Sequence, residues 1–279
     1  MPLGEQRLVG AVDWAQQGRS FDGFRYTTPS MGKLKVELFG MRLQEASAST
    51  HEDDASFVGA YGTMGLSGAG TLDLYGLFTH ESRDDGNEER TFGGLWKGRV
   101  GPLNLRLEGS LQSGTRNGTD VSAYMVGARA GMTVLENATV TLWYDHLSGD
   151  EDPSDDQIGV FNTLFATNHA FYGLADYFLN VPAHTGGLGL NDAAVKLALT
   201  LFPWTDLNLD LHRFQTAQEG SLSTRALANE LDLTLIHRLS QDLTLVSGYS
   251  YVQAKDGMKE LGRLSEDAHW LYLMLNAVF

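Results

Sequence analysis

Cysteine is absent from the 279 residues, and proline is scarce, with 6. Without cysteine there is neither a disulfide framework nor a thiolate, which excludes a small stapled secreted fold and cysteine-based catalysis. Basic residues are outnumbered: 20 Lys and Arg stand against 35 Asp and Glu, a net charge of −15. Phosphate binding needs clustered Lys and Arg, and the sequence has no such cluster, so nucleic acid is set aside as a partner. Also missing is any run of ~18 consecutive apolar residues, so no transmembrane helix is expected. Met1-Pro2-Leu3 lacks the basic and apolar regions of a signal peptide, the expectation for a mature or engineered chain. Such a chain looks soluble on a hydropathy scan. A membrane β-barrel looks the same, because only every second residue of its strands is apolar.

What is present is a pattern of period two. Leu103-Asn-Leu-Arg-Leu-Glu108, Leu207-Asn-Leu-Asp-Leu-His212 and Glu230-Leu-Asp-Leu-Thr-Leu235 each put leucine on one face and polar groups on the other. The alternating runs are about 10 to 14 residues long, which suits a tilted strand crossing a bilayer and exceeds a typical soluble strand. Their spacing predicts fourteen strands, at 6–14, 21–29, 32–46, 55–66, 70–81, 89–100, 103–113, 120–134, 138–148, 188–202, 206–216, 226–239, 242–254 and 268–279. Tight Gly- and Pro-containing turns alternate with longer polar connections at 15–20, 47–54, 82–88, 114–119, 149–187, 217–225 and 255–267. Short and long connections alternate in this way in outer-membrane barrels, with tight periplasmic turns and long outer loops. The sequence therefore predicts one all-β domain over 1–279, a transmembrane up-and-down antiparallel barrel. An even strand count lets the first strand pair with the last and puts both termini on the periplasmic side.

Two further signs agree. His269-Trp-Leu-Tyr-Leu-Met-Leu-Asn-Ala-Val-Phe279 ends on an aromatic with apolar residues at alternate positions, resembling the terminal strand that bacterial barrel assembly recognises. Trp14, Trp96, Trp204, Tyr249, Tyr251 and Trp270 fall near strand ends, where interfacial girdles sit.

Gly4-Glu-Gln-Arg-Leu-Val-Gly10 with Gly18-Arg-Ser-Phe-Asp-Gly23, then Phe161-Asn-Thr-Leu-Phe-Ala-Thr-Asn-His-Ala-Phe-Tyr-Gly173, then Gly248-Tyr-Ser-Tyr251 resemble segments of the bacterial alginate-export family of outer-membrane barrels. The resemblance runs in matching order from Gly4 to Phe279. It implies a monomeric barrel with a charged lumen in the bacterial outer membrane; the type member exports the anionic polysaccharide alginate. Family members carry further strands and a signal peptide ahead of the Gly-Glu-Gln-Arg segment, which implies here a shortened natural member or an engineered, size-reduced nanopore.

With leucine facing lipid, the other phase lines the interior. It places Arg7, Lys35, Lys97, Arg99, Arg106, Arg129 and Lys196 inward, together with Asp13, Glu37, Asp73, Glu108, Asp145, Asp210, His212, Glu230 and Asp232. The opposite assignment would cost roughly 2 to 4 kcal/mol for each Arg or Lys near the midplane. Two readings of these charges stand side by side: pairs across neighbouring strands that keep the wall wet, or a cationic stripe of Lys97, Arg99, Arg106 and Arg129 that draws in a carboxylated solute. Within 149–187, Phe161, Asn168, His169, Phe171 and Tyr172 form a candidate constriction folded into the barrel mouth, with a packed outer loop as the alternative. Asp150, Asp152, Asp155 and Asp156 form a weak calcium candidate without ordered ligand spacing.

His80, His146, His169, His212, His237 and His269 are scattered, and no serine lies in a Gly-x-Ser-x-Gly turn, so no catalytic residue is assigned. No cofactor is called for. The expected partners are membrane lipid or detergent and an anionic polysaccharide or small polar solutes. The function expected is a polar pore, with a plugged barrel used for anchoring or adhesion as the alternative and an outer-membrane hydrolase less favoured. About fourteen strands enclose more than side chains alone can fill.

Overall fold

The computed structural model describes residues 1–15, 17–44, 54–82 and 86–278. The strands are β1 Asp22–Thr27, β2 Leu34–Gln44, β3 Ala55–Leu66, β4 Gly70–Glu81, β5 Glu88–Val100, β6 Leu103–Arg116, β7 Thr119–Leu135, β8 Ala138–Leu147, β9 Gln157–Ile158, β10 Leu190–Phe202, β11 Thr205–Gln215, β12 Ala226–Arg238, β13 Leu243–Ala254 and β14 Ala268–Ala277. Two short helices, α1 Val181–His184 and α2 Asp256–Glu260, decorate the long connections. All fourteen strands belong to one sheet. Thirteen form an antiparallel meander from β1 to β14, and β9 adds a two-residue parallel contact to the outer end of β7 at Asp120 and Val121. No helix of the described residues is long and apolar enough to cross a membrane.

The wall is inside out relative to a soluble protein. On β6, Arg106, Glu108, Ser110 and Gln112 are buried while Leu107 and Leu111 are exposed. Asp145 on β8 is 0% exposed and Leu273 on β14 is 72% exposed. In water that distribution would be strongly unfavourable, whereas against hydrocarbon it is the stable one. Trp204 and Trp270 stand exposed near strand ends, and Trp96 donates its indole N–H to the Ala69 carbonyl at 2.9 Å.

Two expectations are corrected. Residues 6–14 do not form a wall strand. Leu8 and Val9 are adjacent and both buried, which a strand facing lipid on one side cannot achieve. Gln6 and Val12 have φ of 67° and 57°, so the extended backbone is interrupted twice. The segment ahead of β1 instead lies inside the barrel, taking Arg7, Asp13 and Trp14 off the wall. The first residues are therefore lumenal, not periplasmic, and an odd meander leaves β1 and β14 running in the same direction. No pairing joins them among the described residues.

The connection 114–119 is the second correction. It is a tight hairpin in which Asn117 and Gly118 take φ of 50° and 77° between β6 and β7. Asn-Gly is the residue pair that a two-residue primed turn demands, and the strands it joins extend past the length needed to span. The outer half of the interior is packed. Leu3, Leu8 and Val9 of the first segment meet Phe161, Phe171, Tyr172, Phe178 and Val181 of the 148–189 connection. Both pack on inward Phe39, Phe57, Leu77, Met125, Leu147 and Phe214 of the wall. Phe279, most of 47–54, and residues 83–85 of the expected loop 82–88 lie outside the described residues.

Candidate functional site: the charged lumen

Two lumenal segments meet in the barrel and bond to each other before they bond to the wall. Phe165 donates its N–H to the Leu8 carbonyl at 2.9 Å, Gly10 donates to the Phe165 carbonyl at 2.8 Å, and Thr167 donates to the Gln6 carbonyl at 3.0 Å. Further along, Trp14 stacks on His169 with ring centroids 4.1 Å apart and meets Tyr272 of β14 edge-on at 4.6 Å. The first segment thus bridges the lumen between opposite parts of the sheet.

Polar wall residues hold the second segment. Gln112 donates to the Asn162 carbonyl and accepts the Asn162 N–H, both at 2.7 Å. Glu230 accepts the Ala175 N–H at 2.8 Å, and Asp232 accepts the Leu174 N–H at 3.3 Å. Gly173 makes this approach possible: its φ is 80°, and a Cβ there would stand 2.5 Å from a Glu230 carboxylate oxygen. Asn168 is buried and donates to Thr163 Oγ1 and to the Leu179 carbonyl, while His169 Nδ1 lies 2.6 Å from Asp176.

Where the two segments and the wall converge, the charges gather. Arg7 donates to Asp145 at 2.6 Å and to the Tyr172 hydroxyl at 2.7 Å, lies 3.5 Å from Glu108, and stacks 4.2 Å over the Phe171 ring. Arg106 donates to Glu108 at 2.9 Å. The Glu5 carboxylate contacts Arg106, with Lys97 at 3.4 Å and Arg129 at 3.5 Å. Arg129 lies 3.1 Å over the Trp143 ring, and Trp143 donates its indole N–H to Asp145 at 2.9 Å. Arg99 stands apart: it is exposed and donates to the Gly101 carbonyl at the periplasmic turn. Lys97, Arg106 and Arg129, on consecutive strands β5, β6 and β7, therefore form the cationic group without it.

Acids and bases also pair on the next strands of the wall, β10 and β11. Asp192 and His212 pair at 2.9 Å, both fully buried, and Lys196 pairs with Asp210 at 2.8 Å while lying 4.5 Å from the Trp143 ring. Glu230 and Asp232 follow on β12, Asp232 also accepting from Ser250. Below the packed segments a cavity of about 440 Å³ remains, lined by Trp14, His169, Lys196, Asn208, Asp210 and Tyr272. Elsewhere on the wall, Glu37 accepts from Arg25 and from Lys35 at 2.9 Å, Asp73 accepts from Tyr61 at 2.8 Å, and Asp13 is exposed on a short turn of the first segment.

The outer acidic loop spends its carboxylates locally. Asp150, Asp152 and Asp155 accept backbone N–H groups two residues ahead, from Asp152, Ser154 and Gln157. The hydroxyl and N–H of Ser154 hold the Asp152 carboxyl below its usual range. Among the described residues no group of three or more His, Asp or Glu side chains is placed to hold a metal ion. Outside the wall, burial first and then Arg263 hold the His184 imidazole below its ordinary value. His146, His169, His212, His237 and His269 each bond to a partner other than serine among the described residues.

Sequence reasoning missed Glu5, Asp192 and Trp143 as lumenal residues. Asp192 shares the inward phase of Lys196 and was legible in that alternation. Glu5 lies on no strand, so no periodicity marks it; its only signal is the preceding Gly4, which takes a φ of 53° in the turn that presents it.

Residues 1–267 match the model of the family described as Alginate export. Among solved structures the chain is similar to the outer membrane protein OprD from Pseudomonas aeruginosa, at 15% identity and a TM-score of 0.66, covering 100% of this chain and 73% of that one. It is also similar to Pseudomonas aeruginosa OccK3, at 15% identity, a TM-score of 0.60, and 92% and 68% coverage. Acinetobacter baumannii OccAB1 is similar at 14% identity, a TM-score of 0.58, and the same coverages of 92% and 68%. A comparison with curated proteins finds no match. With an apolar outer wall, a charged interior and a family match over most of its length, the chain belongs to the alginate export family of bacterial outer-membrane β-barrels.

Proposed function

We propose that this barrel is an outer-membrane channel for small solutes bearing a carboxylate, its resting lumen narrowed by residues 1–15 and 161–178. The observation that carries the reading is a cluster of lumenal cations from consecutive strands, Lys97, Arg106 and Arg129, gathered around the Glu5 carboxylate. A cluster of this kind attracts an anionic group and lowers its barrier to entering a space of low dielectric, because selectivity follows local charge rather than the net charge of the chain. The segments that fill the outer half must move for a polymer such as the one handled by the family's type member to pass.

Support for a moving plug comes from how it is fastened. Beside its apolar packing, its contacts to Gln112, Glu230 and Asp232 are hydrogen bonds that water and a solute can replace. A closed barrel is the second reading, favoured by the complete burial of Phe161, Tyr172 and Phe178. Channel recordings in a planar bilayer separate the two. Discrete steps with anion preference support the channel, and a silent membrane containing folded protein supports the closed barrel. The protein acts as a monomer on this reading, so step sizes should not group in threes.

A further inference from the structure

Glu5 is the one carboxylate of the cationic group that does not come from the wall. It sits at the tip of a turn closed by Gln6 N–H to the Leu3 carbonyl at 2.9 Å, with Leu3 N–H bonded to the Val9 carbonyl at 3.0 Å. Gly4 and Gln6, its two neighbours, both have left-handed φ, 53° and 67°. Gln6 is neither glycine nor asparagine, so the turn holds a conformation of higher energy than the extended chain. That turn delivers one carboxylate to three cations from three strands, Lys97, Arg106 and Arg129. The wall places Glu108 against Arg106 as well, yet the donors are not exhausted. Arg106 Nε and Arg129 Nη2 are buried without a hydrogen-bond partner among the described residues. Arg106 is 8% exposed, so water does not readily reach it. The Trp143 ring lies flat beneath Arg129 and fixes the plane of its guanidinium.

We propose that Glu5 is a built-in competitor for the solute: its carboxylate fills a site formed by Lys97, Arg106 and Arg129 that accepts the carboxylate of a solute when the Leu3–Val9 turn lifts. The proposal rests on the channel reading above for its physiological setting, and on the Glu5 geometry for its substance. Binding and turn release are one exchange. An incoming carboxylate replaces the Glu5 carboxylate on the same donors, and additional oxygens on the ligand take up Arg106 Nε and Arg129 Nη2. The turn swings about Arg7, which keeps its bonds to Asp145 and Tyr172. A solute of this class thereby uncovers its own site, while a neutral molecule of equal size does not.

The test is a titration of the refolded full chain in detergent with sodium glucuronate, and with glucose as the neutral control, by isothermal calorimetry. In E5Q the competitor loses its charge and the side-chain shape is kept, so glucuronate should bind roughly tenfold tighter than in wild type, the gain expected when the competent state rises from about a tenth to most of the population. E5Q/R129Q should lose the gain, and glucose should bind neither variant. Equal glucuronate affinities in wild type and E5Q, or a matching gain for glucose, would overturn the proposal. Amide exchange in wild type gives a reading that needs no variant: saturating glucuronate should speed exchange at Gln6 and Gly10, and unchanged rates there also overturn it. Neither measurement uses conductance. A silent bilayer with tighter binding in E5Q removes the channel reading and leaves the competitor standing; an open channel with unchanged binding does the reverse.

Discussion

Arg7 Nη2 lies 2.6 Å from Asp145 Oδ1, joining a lumenal segment to the barrel wall through a pair in which the side chains are 3% and 0% exposed. The same guanidinium reaches the Tyr172 hydroxyl, so one residue of the first segment fastens the wall and the second segment together. R7M leaves Asp145 buried with only the Trp143 N–H, and losing one partner of a buried pair costs about 3 to 5 kcal/mol. Urea unfolding in phospholipid vesicles, followed by tryptophan fluorescence, should show the lowered midpoint. An unchanged midpoint would mean that the lumenal segments contribute nothing to the stability of the wall.

Gly173 should not tolerate alanine. Its left-handed φ alone costs an L-residue about 1 to 2 kcal/mol, and the added Cβ would overlap the Glu230 carboxylate, breaking the bond to Ala175. G173A is therefore expected to loosen residues 161–178 with the strands intact. Faster amide exchange confined to that segment is the signature to look for.

Neutralising wall cations should change ion preference without changing the fold. In R106Q/R129Q the reversal potential across a salt gradient is expected to move toward that of cations, because the acids on β10, β11 and β12 then dominate the lumenal field. If it stays in place, those arginines serve Glu5 and Glu108 alone.

Acid should unlatch an outer loop. Glu260 of α2 accepts both the N–H and the hydroxyl of Ser223, and these bonds hold its carboxyl below its usual range. A carboxyl depressed on folding contributes stability above its unfolded value of 4.5, and that contribution is lost as pH falls through the folded value. Protection of the Ser223 amide, corrected for intrinsic exchange, should thus be constant at neutral pH and fall below about pH 4.5. E260A should show the unprotected rate throughout.

Much of the wall was legible because its chemistry is written residue by residue. Over 103–108 of β6 and 230–235 of β12 leucine alternates strictly with charged or polar groups, so one face must meet lipid and the other must not. The inward phase of Arg106, Glu108, Asp145, Lys196, Glu230 and Asp232 follows from that alternation. Residues 6–14 misled for the same reason. Arg7, Val9, Ala11 and Asp13 alternate in sequence, but Leu8 and Val9 are both apolar, the mark of a segment enclosed on all sides rather than a half-lipid strand. Asn117-Gly118 carried a turn signal that outweighs the polar run around it. Illegible in principle was Glu5, whose place depends on two left-handed residues and on three cations 92 to 124 positions away in sequence.

The most direct test of the channel itself is the current carried by refolded protein in a planar bilayer under a potassium chloride gradient. Discrete steps with a reversal potential on the anion side, reduced by added glucuronate and not by glucose, are the predicted result. Steps that favour cations, or a membrane that stays silent while the protein is folded and inserted, would contradict the account.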